Sequence, residues 1–427
     1  MTDETTHDMA EGPAPIESIE LDPGTAFLLA AFEPENRADP YPLYARMREE
    51  SPILTTGTGL WFAFTHEAAN TVLRARNVAS DERRSNEFAA NVASDPKLQR
   101  FAEQEPLMLF TDPPDHTRLR SLVTRAFTPR TVERLTTRIQ EMTNELLDEL
   151  ADGTGEPQDL IERFAKPLPV AVICEMLGVP AADVASFTAW SDDLSRMVDP
   201  GVLRTEEDEL AIERARQDLS AYTAALLAER RARPQEDLIS ALIEARDGDE
   251  RLTESELILL VILLLVAGHE TTVNLIGNGL VALLRNPDEL RRWQGDPSLD
   301  RSAVDELLRY DSPVQLGMRI PLEPMTITGA EVPTGDQITC LLGAANRDPA
   351  MFPDPDRLDL SRANASRNMS FGGGIHHCLG MALARSEGQI ALGSLLRRFP
   401  SLELATTPEV RDRFVLRGYR TVEVVLA

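Results

Sequence analysis

The chain has 427 residues, 42% of them apolar, enough to build a sizeable core. A formal net charge of −27 argues against nucleic acid or an anionic membrane as the main partner and is read as a solubility device. Three cysteines, Cys174, Cys340 and Cys378, follow no spacing pattern, which argues against a disulfide framework and for a reducing compartment.

Residues 1–25 are acidic and polar, the reverse of a secretion signal, and are expected to be a disordered tail. Residues 26–427 are expected to form a single domain. Leu28–Phe32 and Pro42–Arg48 read as short helices. Ile53-Leu54 and Trp61–Phe64 flank a Thr-Gly-Thr-Gly turn and predict a hairpin. Glu67–Arg74 predicts a further helix. The polar, irregular stretch from Val78 to Pro106 predicts a long loop. Thr111-Asp112-Pro113-Pro114-Asp115-His116-Thr117-Arg118-Leu119-Arg120 follows, with prolines placed for a helix start. His116 and Arg120, one turn apart, share a face that suits either a bound anion or plain solvation.

From about Val132 to Ala245 the pattern is a series of amphipathic helices broken at prolines. Cys174 and Cys340 lie in apolar runs and read as small core residues. Thr253 and Glu256 form a capping box that opens a long apolar helix. Its longest apolar run, Leu257–Ala267, is shorter than the roughly 18 residues a membrane span requires. Ala267-Gly268-His269-Glu270-Thr271-Thr272 then breaks the apolar character. Such a break is costly for stability, so function is expected there. A small residue leaves room over a flat cofactor, Thr271 can hydrogen-bond a bound ligand or water, and Glu270 can bring protons from solvent. A helix bend with Thr bonded to a backbone carbonyl fits the same residues. His269 is expected to be exposed or structural.

Glu306-Leu307-Leu308-Arg309 sets an acid and a base on one helical face, which alone is worth little. Met325–Ile327, Gln337–Leu342 and Arg420–Leu426 predict strands. Near the C-terminus stands Phe371-Gly372-Gly373-Gly374-Ile375-His376-His377-Cys378-Leu379-Gly380. The glycines allow a tight turn. Ala384, Gly388, Ala391, Leu395 and Phe399 predict a helix after it, stopped by Pro400. A helix N-terminus favours a thiolate at Cys378. A lone thiolate is a poor zinc site but meets the need of a haem iron for one proximal ligand. An incidental cysteine in a surface loop is the remaining reading.

The Phe-Gly-x-Gly-x-His-x-Cys-x-Gly string resembles the cysteine-ligand loop of the cytochrome P450 family in its bacterial form. Ala267–Thr272, the Asp112–Arg120 element, Glu306-x-x-Arg309, Asp311–Arg319 and Asn346–Pro349 are similar to further motifs of that family, in the same order. The resemblance implies a mainly α fold with small β-sheets, a triangular helical prism holding haem b between the long central helix and the Cys-loop helix. It implies Cys378 as iron ligand, and His116, Arg120, Arg319 and His376 as propionate partners. Glu270 and Thr271 would deliver protons. Arg357 would lock the Glu306–Arg309 pair. Leu265, Val266, Ala267, Val314 and Leu316 would line an apolar pocket, with Met108, Leu109 and Phe110 at its cap. The implied reaction inserts one oxygen atom of O2 into a fatty acid, terpenoid, sterol or macrolide. Electrons derived from NAD(P)H would come through a separate ferredoxin and its reductase, docking near Arg118, Arg125, Arg367 and Arg397. A cytoplasmic monomer without membrane anchor is expected. A peroxide-driven peroxygenase, a haem isomerase or dehydratase, and a haem sensor are the alternatives.

Overall fold

In the computed structural model, residues 21–126 and 129–426 are described; most of the acidic tail lies outside them. The tail ends earlier than the sequence suggests. Asp22 caps a helix over Pro23–Ala31, its carboxylate accepting from Thr25 N at 2.8 Å. The predicted hairpin forms from Ile53–Thr55 and Leu60–Ala63, paired antiparallel with Leu54 opposite Phe62. Leu60–Ala63 runs parallel to Gln337–Leu341, which pairs antiparallel with Leu316–Pro321, and that strand pairs with Val78–Ala79. The five strands form one sheet.

The stretch expected as a loop from Val78 to Pro106 carries two helices, Asn86–Asn91 and Pro96–Glu103. Their caps were present in the sequence: Ser85 accepts from Phe88 N and Asp95 from Lys97 N. Both helices are short and largely exposed, so no apolar period betrays them. The expected helical series follows as Pro129–Ala151, Pro167–Leu177, Val184–Leu194, Glu206–Ala232 and Leu238–Glu244.

The central helix, Glu254–Arg285, has the predicted capping box: Glu256 N donates to Thr253 Oγ1 at 3.2 Å and Thr253 N donates to Glu256 Oε2 at 2.8 Å. Among the described residues it is the one helix long and apolar enough to cross a membrane. Here it is the core helix, packed against Pro167–Leu177, Glu206–Ala232, Asp300–Tyr310 and the Cys-loop helix Met381–Arg398. The helix runs past the apolar stretch Leu257–Ala267 through buried polar residues, His269, Glu270, Thr272 and Asn274.

One buried network fixes the segment leading to the Cys loop. Glu306 and Arg309 are both wholly buried; Arg309 Nε and Nη2 donate to the two carboxylate oxygens at 2.7 and 2.8 Å. Arg309 Nη1 reaches Asn346 O and Pro355 O. The locking arginine is Arg362, not Arg357. Arg362 Nε meets Glu306 Oε1 at 3.1 Å, and its other nitrogens hold the carbonyls of Pro353, Asp354 and Arg357. Arg357 points outward to Asp359, and only its carbonyl joins the network. The two arginines are five apart in an irregular segment, so spacing could not separate them.

Glu306→Ala leaves two buried guanidiniums facing no carboxylate and is expected to cost about 3–5 kcal/mol in urea unfolding. Arg362→Ala should be comparably harmful and Arg357→Ala nearly neutral. Equal effects of the two arginine changes would contradict this assignment.

Candidate active site

The Cys loop is built on two left-handed glycines, Gly372 at φ 66° and Gly374 at φ 68°. Cys378 N donates to Phe371 O at 3.0 Å and closes the turn. The loop packs on the end of the helix His66–Arg74: a Cβ on Gly374 would lie 2.1 Å from Leu73 O. Gly380 starts the helix Met381–Arg398 with no side-chain cap, leaving its first N–H groups free for another acceptor. Arg385 ties this helix to Asp305 at 2.8 Å, beside Glu306.

Burial pushes the Cys378 thiol above its ordinary value, against backbone N–H groups of Gly380 and Met381 and the guanidiniums of Arg120 and Arg385. The helix N-terminus therefore does not by itself make this cysteine an anion, as its position in the sequence had suggested. A coordinated metal ion would, since a coordinating thiol is deprotonated outright.

His116 and Arg120 come from the predicted helix, Asp115–Ala126. Arg120 Nη2 donates to His377 O at 2.7 Å, anchoring that helix to the Cys loop. The rings of His116 and His376 lie 4.1 Å apart. Arg319, on the strand Leu316–Pro321, donates among the described residues only to the neighbouring Met318 O, at 2.6 Å. The His376 imidazole is pushed down to about 3, first by burial, then by Arg319, His116 and Arg120. Its Nε2 is buried and unpartnered among the described residues. The structure thus gathers His116, Arg120, Arg319 and His376 about one place. Their mutual repulsion is opposed by one nearby carboxylate, Asp112, whose Oδ1 is occupied by Ser80 N at 2.7 Å. Such a cluster is complementary to an anionic group, and a single thiolate close by completes a donor set that fits haem.

On the central helix, Ala267 is exposed, whereas a Cβ on Gly268 would meet Ile173 Cδ1 at 2.6 Å. Ala267 is thus the small residue that leaves open space, and Gly268 admits the neighbouring helix. Thr271 is half-buried and its Oγ1 donates back to Ala267 O at 2.7 Å, leaving lone pairs free. Glu270 is buried in an ion pair with Arg411. His269 is not exposed: it is wholly buried, with Nδ1 2.7 Å from Ser191 Oγ. Val314 and Leu316 are half-buried, Val266 is buried, and Leu265 lies wholly inside the helical core and lines nothing. Leu109 and Phe110 are exposed on a short helical turn, with Met108 half-buried beside them. Arg411, Ser191 and Asp192 gather about His269 and Glu270 from distant segments, and no local pattern announced them.

A family model described as "Cytochrome P450" matches residues 60–296 and 299–419. The chain belongs to the cytochrome P450 family. It is similar to cytochrome P450 107B1 of Saccharopolyspora erythraea, 43% identical over 93% of this chain and 97% of that protein. The vitamin D(3) 25-hydroxylase of Pseudonocardia autotrophica is 42% identical over 91% and 94%. The crystal structure of myxobacterial cytochrome P450 CYP267B1 in complex with myristic acid superposes with a TM-score of 0.83, at 41% identity, covering 93% of this chain and 99% of that one. The protein is therefore a haem-dependent monooxygenase, an oxidoreductase using O2 and reducing equivalents, with the mainly helical P450 fold read from its motifs.

Both loop glycines share the positive φ, and the contact with Leu73 separates them. Gly374→Ala is expected to abolish the thiolate-ligated haem spectrum of the reduced, carbon monoxide-treated P450. Gly372→Ala has open space around it and should cost only about 1–2 kcal/mol for the left-handed backbone, with the spectrum retained.

Proposed function

We propose that this P450 hydroxylates or epoxidises an extended apolar small molecule of the fatty acid, terpenoid, sterol or macrolide class. The observation that carries the reading is the Cys378 loop facing a cluster of His116, Arg120, Arg319 and His376. The substrate class is supported by the open or half-open apolar surface at Ala267, Val314, Leu316, Leu109 and Phe110. A relative named for vitamin D(3) 25-hydroxylation and a similar structure in complex with myristic acid lend further support. Residues 26–427 act as one haem-binding unit, a reading supported by the near-continuous family match.

Haem b bound by Cys378 would supply the activation of dioxygen. The chain's own groups do the rest. His116, Arg120, Arg319 and His376 would hold the two propionates by charge-assisted hydrogen bonds. The N–H groups of Gly380 and Met381 would hold the sulfur in its thiolate form. Thr271, bonded through its proton to Ala267 O, has lone pairs free to accept from a water. Glu270 holds the proton that this water passes on, and its buried ion pair with Arg411 keeps it aimed.

Electrons arrive from a separate ferredoxin and reductase. The surface first expected to dock it is largely neutralised: Arg118 pairs with Glu256, Arg125 with Asp247 and Arg397 with Asp300. Arg367 remains, and Arg74 stands at the end of the helix that seats the Cys loop; both are exposed and both disfavour charge on His66. With the exposed Ile375 they form the docking patch of this reading. Double replacement, Arg74→Glu with Arg367→Glu, should slow ferredoxin-supported reduction at low salt and flatten its salt dependence. Arg125→Glu should do neither.

The governing test is NADPH-dependent oxygen uptake with ferredoxin and reductase, after screening myristic acid and vitamin D3 by Soret shift and analysing products by mass. Absence of the long-wavelength band of the reduced, carbon monoxide-bound thiolate protein would overturn the reading. Thr271→Val and Glu270→Gln should each lower product formation by about 10²-fold or more while substrate binding persists, as expected for loss of a proton-transfer group.

A further inference from the structure

The polar segment of the central helix has neighbours that the Glu270–Thr271 pair does not account for. One ring nitrogen of His269 and one carboxylate oxygen each of Asp192 and Glu270 lie within 4.8 Å of one another. His269 is fixed through Nδ1 by Ser191, while Nε2 is buried with no partner among the described residues. Glu270 spends one oxygen on Arg411 and leaves Oε2 buried and free in the same way. Asp192 differs: its side chain is 37% exposed, and Lys166 Nζ holds its Oδ2 at 2.8 Å. Lys166 also lines a surface cavity of about 280 Å3 with Glu145, Glu149, Glu162 and Thr188, the last one turn before Asp192. A chain of polar groups thus leads from open solvent to the free oxygen of Glu270.

A cation site and a proton path are the two uses such a cluster could have. Asp192 and Glu270 already face Lys166 and Arg411, so the charges cancel, and a divalent cation would meet two fixed positive groups. A proton path needs no extra charge. Two hydrogen bonds through one water span about 4.6 Å, within the 4.8 Å that bounds the spacing of the three groups. The two cations cannot relay protons themselves. Arginine does not deprotonate. Burial lowers Lys166, but its bonds to Asp192 and Glu162 outweigh that and hold it above its ordinary value. His269 is held below its ordinary value by burial, with Glu270 and Asp192 opposing and Lys166 and Arg411 adding to it. A neutral imidazole keeps a lone pair for an incoming proton, and the Ser191 hydroxyl can donate to or accept from Nδ1.

We propose that Asp192 and His269, with Ser191 holding the ring, carry protons from the surface cavity to Glu270. A hydronium ion in the cavity protonates Asp192 and leaves as water; the proton passes to the His269 ring and on to Glu270 Oε2, directly or through one water. Each group returns to its starting charge, with one proton in, one out and no electron moved. The proposal rests on Glu270 acting in proton delivery, as in the function proposed above. Asp192 and His269 are positioning and relay groups that touch neither substrate nor cofactor.

The test is made on the ferrous, carbon monoxide-bound holoenzyme labelled with 15N-histidine, so no turnover is needed. A structural imidazole this deeply buried should exchange its N–H with D2O only through opening of the fold. A relay should exchange about a hundredfold faster than the backbone amides around it. Asp192→Asn should slow that exchange about tenfold, and Asp192→Glu should restore it. Asp192 is partly exposed, so neither variant is expected to disturb folding, and the thiolate band reports that directly. In turnover, Asp192→Asn and His269→Phe should also raise the solvent deuterium isotope effect on NADPH oxidation. An intact thiolate band with exchange that is slow in the parent protein, or unchanged in Asp192→Asn, overturns the relay alone. Loss of the band in the parent protein overturns the haem reading instead.

Discussion

The carboxylate of Glu306 never meets water, yet it accepts from Arg309, Arg362 and the backbone N–H of Asp359. An anion so buried is tolerable only if every lone pair is met, and the geometry of its partners is therefore fixed. Those partners are not local. Arg309 carries the constraint to Asn346 and Pro355, Arg362 to the carbonyls of residues 353, 354 and 357. Asn346 continues it, its amide donating to Ser312 and Ser370 and its carbonyl accepting from Met369 N. Ser370 immediately precedes Phe371, whose carbonyl closes the cysteine turn. A chain of satisfied buried polar groups thus runs from one helix to the sulfur. A single break in it would leave a desolvated charge.

The second constraint is electrostatic. Four nitrogen-rich side chains face one another near Cys378, and burial disfavours charge on each imidazole there. The same burial disfavours the thiolate. The protein alone therefore keeps both halves of its site away from their working charge states. In the function proposed here, haem would bring a cation for the sulfur and anions for the cluster, and binding it would relieve both penalties together. Cofactor binding and the final ordering of the loop would then be one equilibrium.

The fold class was readable because its punctuation is local: the Thr253 capping box, the glycines of the Cys loop and the prolines before Asp115 each act within a few residues. The placement of candidate residues was readable where a motif carried its own geometry, as at His116 and Arg120, one turn apart on the predicted helix. What escaped depends on chain segments meeting from far away. Choosing Arg362 over Arg357 requires knowing which way an irregular segment turns. The ion pairs of Arg118, Arg125 and Arg397 with Glu256, Asp247 and Asp300 neutralise arginines that the sequence offers as a basic patch. Gly268 invited a role beside the cofactor, but Ile173 of another helix occupies its space.

The central helix shows why its polar break is not simply a cost. His269, Glu270, Thr272, Asn274 and Asn278 are all buried on a helix otherwise built for the core. Were these side chains only structural, apolar residues of similar volume would serve as well or better. Some are spent on packing: Asn278 holds the carbonyl of Arg417, and Thr272 bonds back to its own helix. His269 Nε2 and Glu270 Oε2 have no partner among the described residues. An unsatisfied buried acceptor destabilises by about 1–3 kcal/mol, and adjacent residues of one helix each carry one. Transient occupancy by water and protons would offset that cost, and Asp192, grouped with the pair, is a carboxylate that solvent can reach.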